Sequence, residues 1–524
     1  RALPAAEAPA EAAAVRAALK EVAVALEQRA AAAPSLAAEV LSAQVMMVSD
    51  PALADRAEAL VHGGTDGPHA LMAAFGEFRA ALEAVGGLFA ERVADLDDLR
   101  DRAVARLLGL PMPGLPDPGH PHVLVAADLA PADTALLDPA KVIALVTEQG
   151  GPTSHTAILA RSLGVPAVVG CPGAAALTDG RLVLVDGAAG TVEADPPPES
   201  VASAAAAQEQ RRRRAAALTG PGRTADGHPV KLLINLGAPN ELPAAAAADS
   251  EGVGLFRTEF LFLDRAQAPT VEEQTAAYAR VFAAFAGRRV VVRTLDAGAD
   301  KPLQFAAPAG EAEEQNPALG VRGLRTAARD PKLLDDQLLA LARAAEGSAT
   351  EVWVMAPMVS LPAEAAAFAE RVRAHGLPRA GAMVEVPAAA LRAGELAQGC
   401  DFLSIGTNDL SQYAFAADRT LTGLAALLDP WQPALLDLVH LTAEAGARHG
   451  RPVGVCGEAA ADPALALVLT GLGVGSLSAA PGALPEVRAA LASRTLADCR
   501  ELARLARTAP DAATARSRVR AALA

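Results

Sequence analysis

The chain has 524 residues, a formal net charge of −15, 3% aromatic residues and four cysteines. At roughly 100–200 residues per domain this length implies two to four domains. The acidic excess excludes a nucleic-acid partner, because phosphate-backbone binders carry basic stripes.

No window approaches the roughly 18 consecutive apolar residues of a spanning helix, and Glu7 and Glu11 interrupt anything resembling a signal peptide. A cytoplasmic chain with no membrane insertion is expected. Cys171, Cys400, Cys456 and Cys499 form no C-x-x-C pair, which argues against a disulfide framework or a zinc site.

In chain order, the stretch from about Ala5 to about Leu110 repeats apolar residues at three and four, with Gly-Gly and Asp-Pro punctuation, and predicts helical hairpins. PMPGLPDPGHPH follows; five prolines remove donors and fix φ, so a boundary is placed there. HVLVAADL, KVIALVT, AVVGC and RLVLVDG then predict a compact α/β unit ending near Glu193. PPPES reads as a hinge, and AAAAQEQRRRRAAAL as a connecting helix whose arginine run is a solvated face. From Val230 onward VKLLINLG, GVGLFRTE, VVVRTLD, EVWVMAPMV, AGAMVEVP, FLSIGTNDL, PVGVCGE and VGSLSAA give eight strand-like runs, most followed by a helical stretch. That is the arithmetic of a (β/α)8 TIM barrel, with its active site at the C-terminal strand ends. The fold class expected is therefore multidomain α/β, in segments 1–112, 113–195, 196–224 and 225–524.

The strand ends carry the chemistry. Arg257 and Arg293 end the second and third strands, Glu385 the fifth and Cys456 the seventh, and the sixth runs into Asn408 and Asp409. Guanidinium forks match phosphate and carboxylate oxygens, so Arg257, Arg293 and nearby Arg419 read as an anion clamp. Glu385 and Asp409, with no thiolate or imidazole beside them, suit a hard cation, best Mg2+. Taken singly, each arginine reads as a surface ion pair and Cys456 as a small buried residue. Convergence on one barrel mouth is what gives them a function.

His155 lies in GGPTSHTAILARSLGVPAVVG, after the Gly150-Gly151 pair and among Thr153, Ser154 and Thr156. Backbone N–H groups and hydroxyls at a helix entry welcome a phosphoryl group, and a neutral imidazole can attack phosphorus. The other eight histidines are read as structural.

That segment resembles the phosphohistidine signature of the phosphoenolpyruvate-utilising enzymes. LFRTEFLFLDR, VVRTLDAGADKPL, NPALGVRGLR, AMVEVPAAAL, DFLSIGTNDLSQYAFAADR and GVCGEAAADP resemble, in order, the barrel motifs of Enzyme I of the sugar phosphotransferase system. The resemblance covers essentially the whole chain. It implies an HPr-binding helical domain at 1–112, a swivelling phosphohistidine domain at 113–195, a hinge and linker helix at 196–224, and a phosphoenolpyruvate-binding barrel at 225–524 through which members dimerise. It also implies that His155 takes the phosphoryl group from phosphoenolpyruvate and passes it to the carrier protein HPr, the first step of sugar uptake. Arg257, Arg293, Arg322, Asn408, Asp409 and Arg419 fall on substrate-binding positions, Glu385 and Asp409 on the Mg2+ ligands, and Cys456 on the proton donor. A protonated thiol near neutral pH suits that last role.

The family's chain opens with strands of the phosphohistidine domain, whereas this sequence starts at Arg1 inside or just before the helices. A trimmed chain, or the Enzyme I part of a multiphosphoryl transfer protein, is expected. Among rivals, a pyruvate phosphate dikinase or phosphoenolpyruvate synthase fragment would need a large ATP-binding region, which the sequence does not offer. A non-catalytic signalling homologue would be marked by a lost histidine, clamp or cysteine, and all are present. An aldolase-type Mg2+ barrel leaves His155 idle.

Overall fold

The computed structural model describes every residue except 1–2, 33–40, 42–43, 86–92, 111–114, 117, 128, 130–136, 139, 150–155, 158–159, 161–164, 188–189, 264, 266, 299–302, 304, 306–313, 420–421 and 524. The chain divides into two compact units, 1–197 and 198–524.

In the first unit, helices α1 (Ala8–Ala32), α2 (Pro51–His62), α3 (Gly67–Val85) and α4 (Val93–Leu108) pack together. On α1 the buried residues Ala8, Ala12, Val15, Leu19, Val22 and Leu26 recur at three and four, a single apolar stripe that meets Leu53, Ala57, Leu71, Phe75 and Leu99. Asp50 caps α2 by accepting from the Ala52 N–H at 2.8 Å, and Pro51 at the first helical position loses no bond there. Strands β1 (His122–Ala126), β2 (Val142–Thr147) and β3 (Ala167–Val168) form a parallel sheet in that order. Leu124, Leu137, Val142, Leu145, Ala160 and Val165 give it a hydrophobic core distinct from that of the helices.

Strand β4 (Val183–Asp186) pairs antiparallel with β5 (Thr191–Ala194). The sequence reading missed β5. Only four residues long and exposed or half-buried throughout, it is too short for its Thr-Val-Glu-Ala alternation to stand out.

In the second unit, helix α5 (Pro198–Ala217) packs on the helix Leu484–Ala492, so the segment read as a linker belongs with the barrel. Eight parallel strands close the barrel: β6 (Lys231–Leu236), β7 (Gly252–Arg257), β8 (Arg289–Arg293), β9 (Glu351–Ala356), β10 (Ala380–Val384), β11 (Phe402–Ile405), β12 (Val453–Val455) and β13 (Ser476–Ala479). All eight predicted runs are strands. Their outward residues, such as Leu232, Val290, Val354, Ala382 and Leu403, meet the surrounding helices in the largest core of the molecule. Inward residues alternate with these, and Leu255, Val291, Trp353, Met355, Met383, Phe402 and Cys456 fill the interior. Gly381 is required there: a Cβ would sit 2.5 Å from the Phe402 ring.

Candidate active site

Strand register gathers the mouth residues. Arg257 on β7 is the register partner of Arg293 on β8, so two guanidinium groups start side by side. Val384 pairs with Ile405, and Ile405 with Val455, which sets the next residues, Glu385, Gly406 and Cys456, in neighbouring positions at one rim. Period two explains the set: on β8 Val291 and Arg293 point inward, on β10 Met383 and Glu385, and on β12 Gly454 and Cys456.

Arg293 is buried. It donates from Nη2 to Glu259 Oε1 at 2.8 Å and lies 3.0 Å through Nη1 from Asp296 Oδ2, while its Nε has no hydrogen-bond partner among the described residues. Burial alone lowers an arginine's pKa; Glu259, Asp296 and Glu385 outweigh it and hold Arg293 above its ordinary value. Arg322 is also buried and forks onto Asp296, with Nη2 to Oδ2 at 2.9 Å and Nε to Oδ1 at 3.3 Å, while Nη1 reaches Asp409 Oδ1 at 3.2 Å. Asp296 thus bridges the two arginines. Arg419, a third exposed, donates to Asp409 Oδ2 at 3.4 Å. Arg257 is exposed.

Glu385 is fully buried and its carboxyl is pushed up to about 8, by burial first and then by the charges of Asp409 and Asp296. Its Oε1 accepts the Met358 N–H at 2.6 Å. Met358 holds φ +56, a left-handed conformation that costs a non-glycine residue on the order of 1–3 kcal/mol and is kept where surroundings over-determine it. Gly323, at φ +58, lies under Met358 and Asp296, where a Cβ would meet Met358 Cγ at 2.9 Å and Asp296 Oδ1 at 3.2 Å.

Asn408 is half-buried and accepts the Glu458 N–H at 3.1 Å, leaving its amide NH2 as a donor at the mouth. Cys456 is buried, and burial pushes its thiol up to about 11, against the pull of the Ser404 hydroxyl. It is therefore a protonated thiol at neutral pH. Asn235 Nδ2 donates to the Cys456 carbonyl at 3.2 Å and Ser478 Oγ donates to Asn235 Oδ1 at 2.7 Å, which pins the backbone carrying the thiol.

A buried carboxyl held so high against the pull of Arg293 marks an excess of negative charge around it. The donor set of Glu385 and Asp409 fits a hard cation that retains waters or substrate oxygens, although no group of three or more metal-binding side chains occurs among the described residues. The barrel thus brings together Arg257, Arg293, Arg322, Glu385, Asn408, Asp409, Arg419 and Cys456. Sequence reasoning missed Glu259, Asp296, Ser404 and Asn235. The first two follow Arg257 and Arg293 by two and three residues, a local signal that was available.

In the first unit, His155 and residues 150–154 lie outside the described residues. The chain enters that segment from β2, where Gln149 N–H donates to the Ala127 carbonyl at 2.8 Å, and Thr156 and Ala157 beyond it are helical, with Thr156 buried.

Three domains of the PEP-utilising enzymes match the chain: the N-terminal domain at residues 1–92, the mobile domain at 118–190 and the PEP-binding domain at 211–496. A phosphoenolpyruvate-protein phosphotransferase of Streptomyces coelicolor is 55% identical over 99% of this chain and 94% of its own length. One from Haloferax volcanii is 40% identical over 89% of this chain and 84% of its own. A multiphosphoryl transfer protein of Xanthomonas campestris pv. campestris is 40% identical over 89% of this chain and 57% of its own. With the closed barrel and its charged mouth already in view, these matches assign the chain to the PEP-utilising enzyme family, among relatives that are phosphoenolpyruvate-protein phosphotransferases.

Proposed function

We propose that the chain transfers the phosphoryl group of phosphoenolpyruvate to His155 and from there to HPr, opening sugar uptake by the phosphotransferase system. The observation that carries this reading is the mouth itself, where paired arginines, a buried carboxyl and a protonated thiol share one rim. Arg257, Arg293, Arg322 and Arg419 bind and orient phosphate and carboxylate oxygens, and the unpartnered Arg293 Nε is a donor waiting for one. The Asn408 amide donates to a substrate oxygen. Glu385 and Asp409 would hold Mg2+, which supplies Lewis-acid charge to substrate oxygens when bound.

The imidazole of His155 forms the N–P bond as the bond from phosphorus to the enol oxygen breaks. The enolpyruvate left behind takes the Cys456 thiol proton at its terminal carbon and becomes pyruvate. One histidine cannot face donor and acceptor in a single rigid arrangement, since reacting atoms must approach to about 3–3.5 Å, so the unit carrying it must move between them. The break at DPPPES falls at the boundary of the two units and is the pivot in this reading.

HPr docks on the helical segment, where Met46 and Met72 are 70% and 53% exposed. The active form is a cytoplasmic homodimer joined through the barrel, with exposed Leu361 and Leu391 as apolar surface for contact. Among the described residues, no helix is long and apolar enough to cross a membrane.

The test is release of pyruvate on mixing the chain with phosphoenolpyruvate, Mg2+ and HPr, with loss of release in Glu385→Ala and in Asp409→Ala. Undiminished release in both variants contradicts the site.

A further inference from the structure

The barrel interior is unevenly filled. Inward positions on β8 to β11 carry Val291, Trp353, Met383 and Phe402, which pack together under the mouth. On β12 and β13 they are Gly454, Ser476 and Ser478, Gly254 of β7 also lines the space left, and that space is a cavity of about 20 Å³. That is room for about one water, and hydroxyl groups around it give a water the partners it needs. The cavity is bounded at one end by Ser404 and Cys456 and at the other by Ser476 and the exposed Pro452, near the strands' N-terminal ends.

Ser404 Oγ lies 3.4 Å from Cys456 Sγ and donates to it, while the thiol is directed at the Ile405 carbonyl at 3.5 Å. The Ser404 side chain is itself buried. On the opposite side of the sulfur lies the mouth, which substrate and product occupy during turnover. A thiol that gives its proton to carbon must regain one before it can act again, and the Ser404 hydroxyl links this sulfur to the cavity.

We propose that Ser404 and this cavity return the proton to Cys456, so that protons enter through the barrel interior while phosphoenolpyruvate uses the mouth. The inference rests on the reading of Cys456 as the acid that completes pyruvate. In that step the S–H bond breaks as the C–H bond of pyruvate forms. The thiolate then takes the Ser404 hydroxyl proton while Ser404 Oγ takes one from a cavity water, and the hydroxide so formed is protonated from solvent. One solvent proton is consumed per pyruvate, and nothing is oxidised or reduced. Ser404 is a positioning and relay residue, since it acts through the sulfur.

The experiment follows steady-state turnover of the full chain with HPr, Mg2+ and phosphoenolpyruvate in H2O and D2O. Ser404→Ala is expected to lower kcat by about 10- to 100-fold and KM for phosphoenolpyruvate with it, leaving kcat/KM nearly unchanged, and to enlarge the solvent isotope effect on kcat. Ser404→Thr, which keeps the hydroxyl, is expected to recover most of the rate. Ser476→Val narrows the far end of the cavity and is expected to lower kcat in the same way; it decides the matter if Ser404→Ala does not fold. Normal kcat and isotope effect in Ser404→Ala and Ser476→Val mean that the thiolate is refilled from the mouth and overturn the relay. A loss in Ser404→Ala that Ser404→Thr does not recover marks a packing role and overturns it too. Either result leaves the donor reading intact, whereas absence of pyruvate release by the unmodified chain would remove that reading itself.

Discussion

In the first unit the residues assigned chemistry fill one short run, Gly150 to Thr156, whereas in the barrel they come from strand ends scattered between Asn235 and Cys456. The first arrangement needs one nucleophile and a local set of donors. The second exists only once the barrel closes, because it stacks Glu259, Asp296, Glu385 and Asp409 against Arg293 and Arg322 in a space from which water is largely removed. Charges so buried are tolerable only as a connected set. The contrast teaches where function and stability are separable: a change at His155 should cost activity alone, and a change in the barrel lattice should alter both.

The largest effect is expected for His155→Ala, which should reduce phosphoryl labelling to background while leaving the melting temperature and phosphoenolpyruvate binding as in the parent chain. Scanning calorimetry beside a binding isotherm checks this, and a large drop in melting temperature would break the comparison.

Next comes Glu385→Gln, which should abolish transfer yet raise the melting temperature of the metal-free chain at pH 8. The sign follows from the raised pKa. Between the ordinary glutamate range and about 8 the folded chain holds a proton that the unfolded chain has lost, so stability falls as pH rises through that window. A neutral amide removes the penalty, with a gain of at least about 2 °C expected. The same proton must leave when Mg2+ binds, so the apparent Mg2+ affinity of the parent chain should weaken as pH falls below about 8. Titrations at pH 6.5, 7.5 and 8.5 that give one constant would contradict this.

Asp296→Asn should show both losses together. Removing the charge that Arg293 and Arg322 share leaves two buried cations under-compensated, with about 3–5 kcal/mol of stability lost. A fall in kcat/KM of about 100-fold should accompany it, read by denaturant unfolding and by pyruvate release. The smallest effect is expected for Arg419→Lys. Its long 3.4 Å contact to Asp409 and its partial exposure limit the change to a rise in KM of roughly threefold to tenfold, with stability unmoved.

Legibility follows the same division. Strand-end arginines, Glu385 and Cys456 could be read because period two and strand count fix which residues reach a barrel mouth. Asp296 and Glu259 follow the strand-end arginines closely, but their rank above other acids comes from burial, Glu259 against Arg293 of the next strand and Asp296 between Arg293 of its own strand and Arg322. Ser404 looked like one more strand residue until its neighbours on β12 and β13 proved to be glycine and serine. Composition separates 196–224 from the barrel, although α5 packs on a barrel helix far along the chain. Composition marks where a chain can bend, and tertiary packing decides to which core the next helix belongs.

The central claim is that a phosphoryl group leaves phosphoenolpyruvate at the barrel and rests on His155. The most direct measurement is incubation with 32P-labelled phosphoenolpyruvate and Mg2+, followed by proteolysis under basic conditions and mass analysis of the labelled peptide. An acid-labile, base-stable label on the peptide containing Gly150 to Gly170, at His155, is the expected result. A label that survives acid, or one carried on any other peptide, contradicts it.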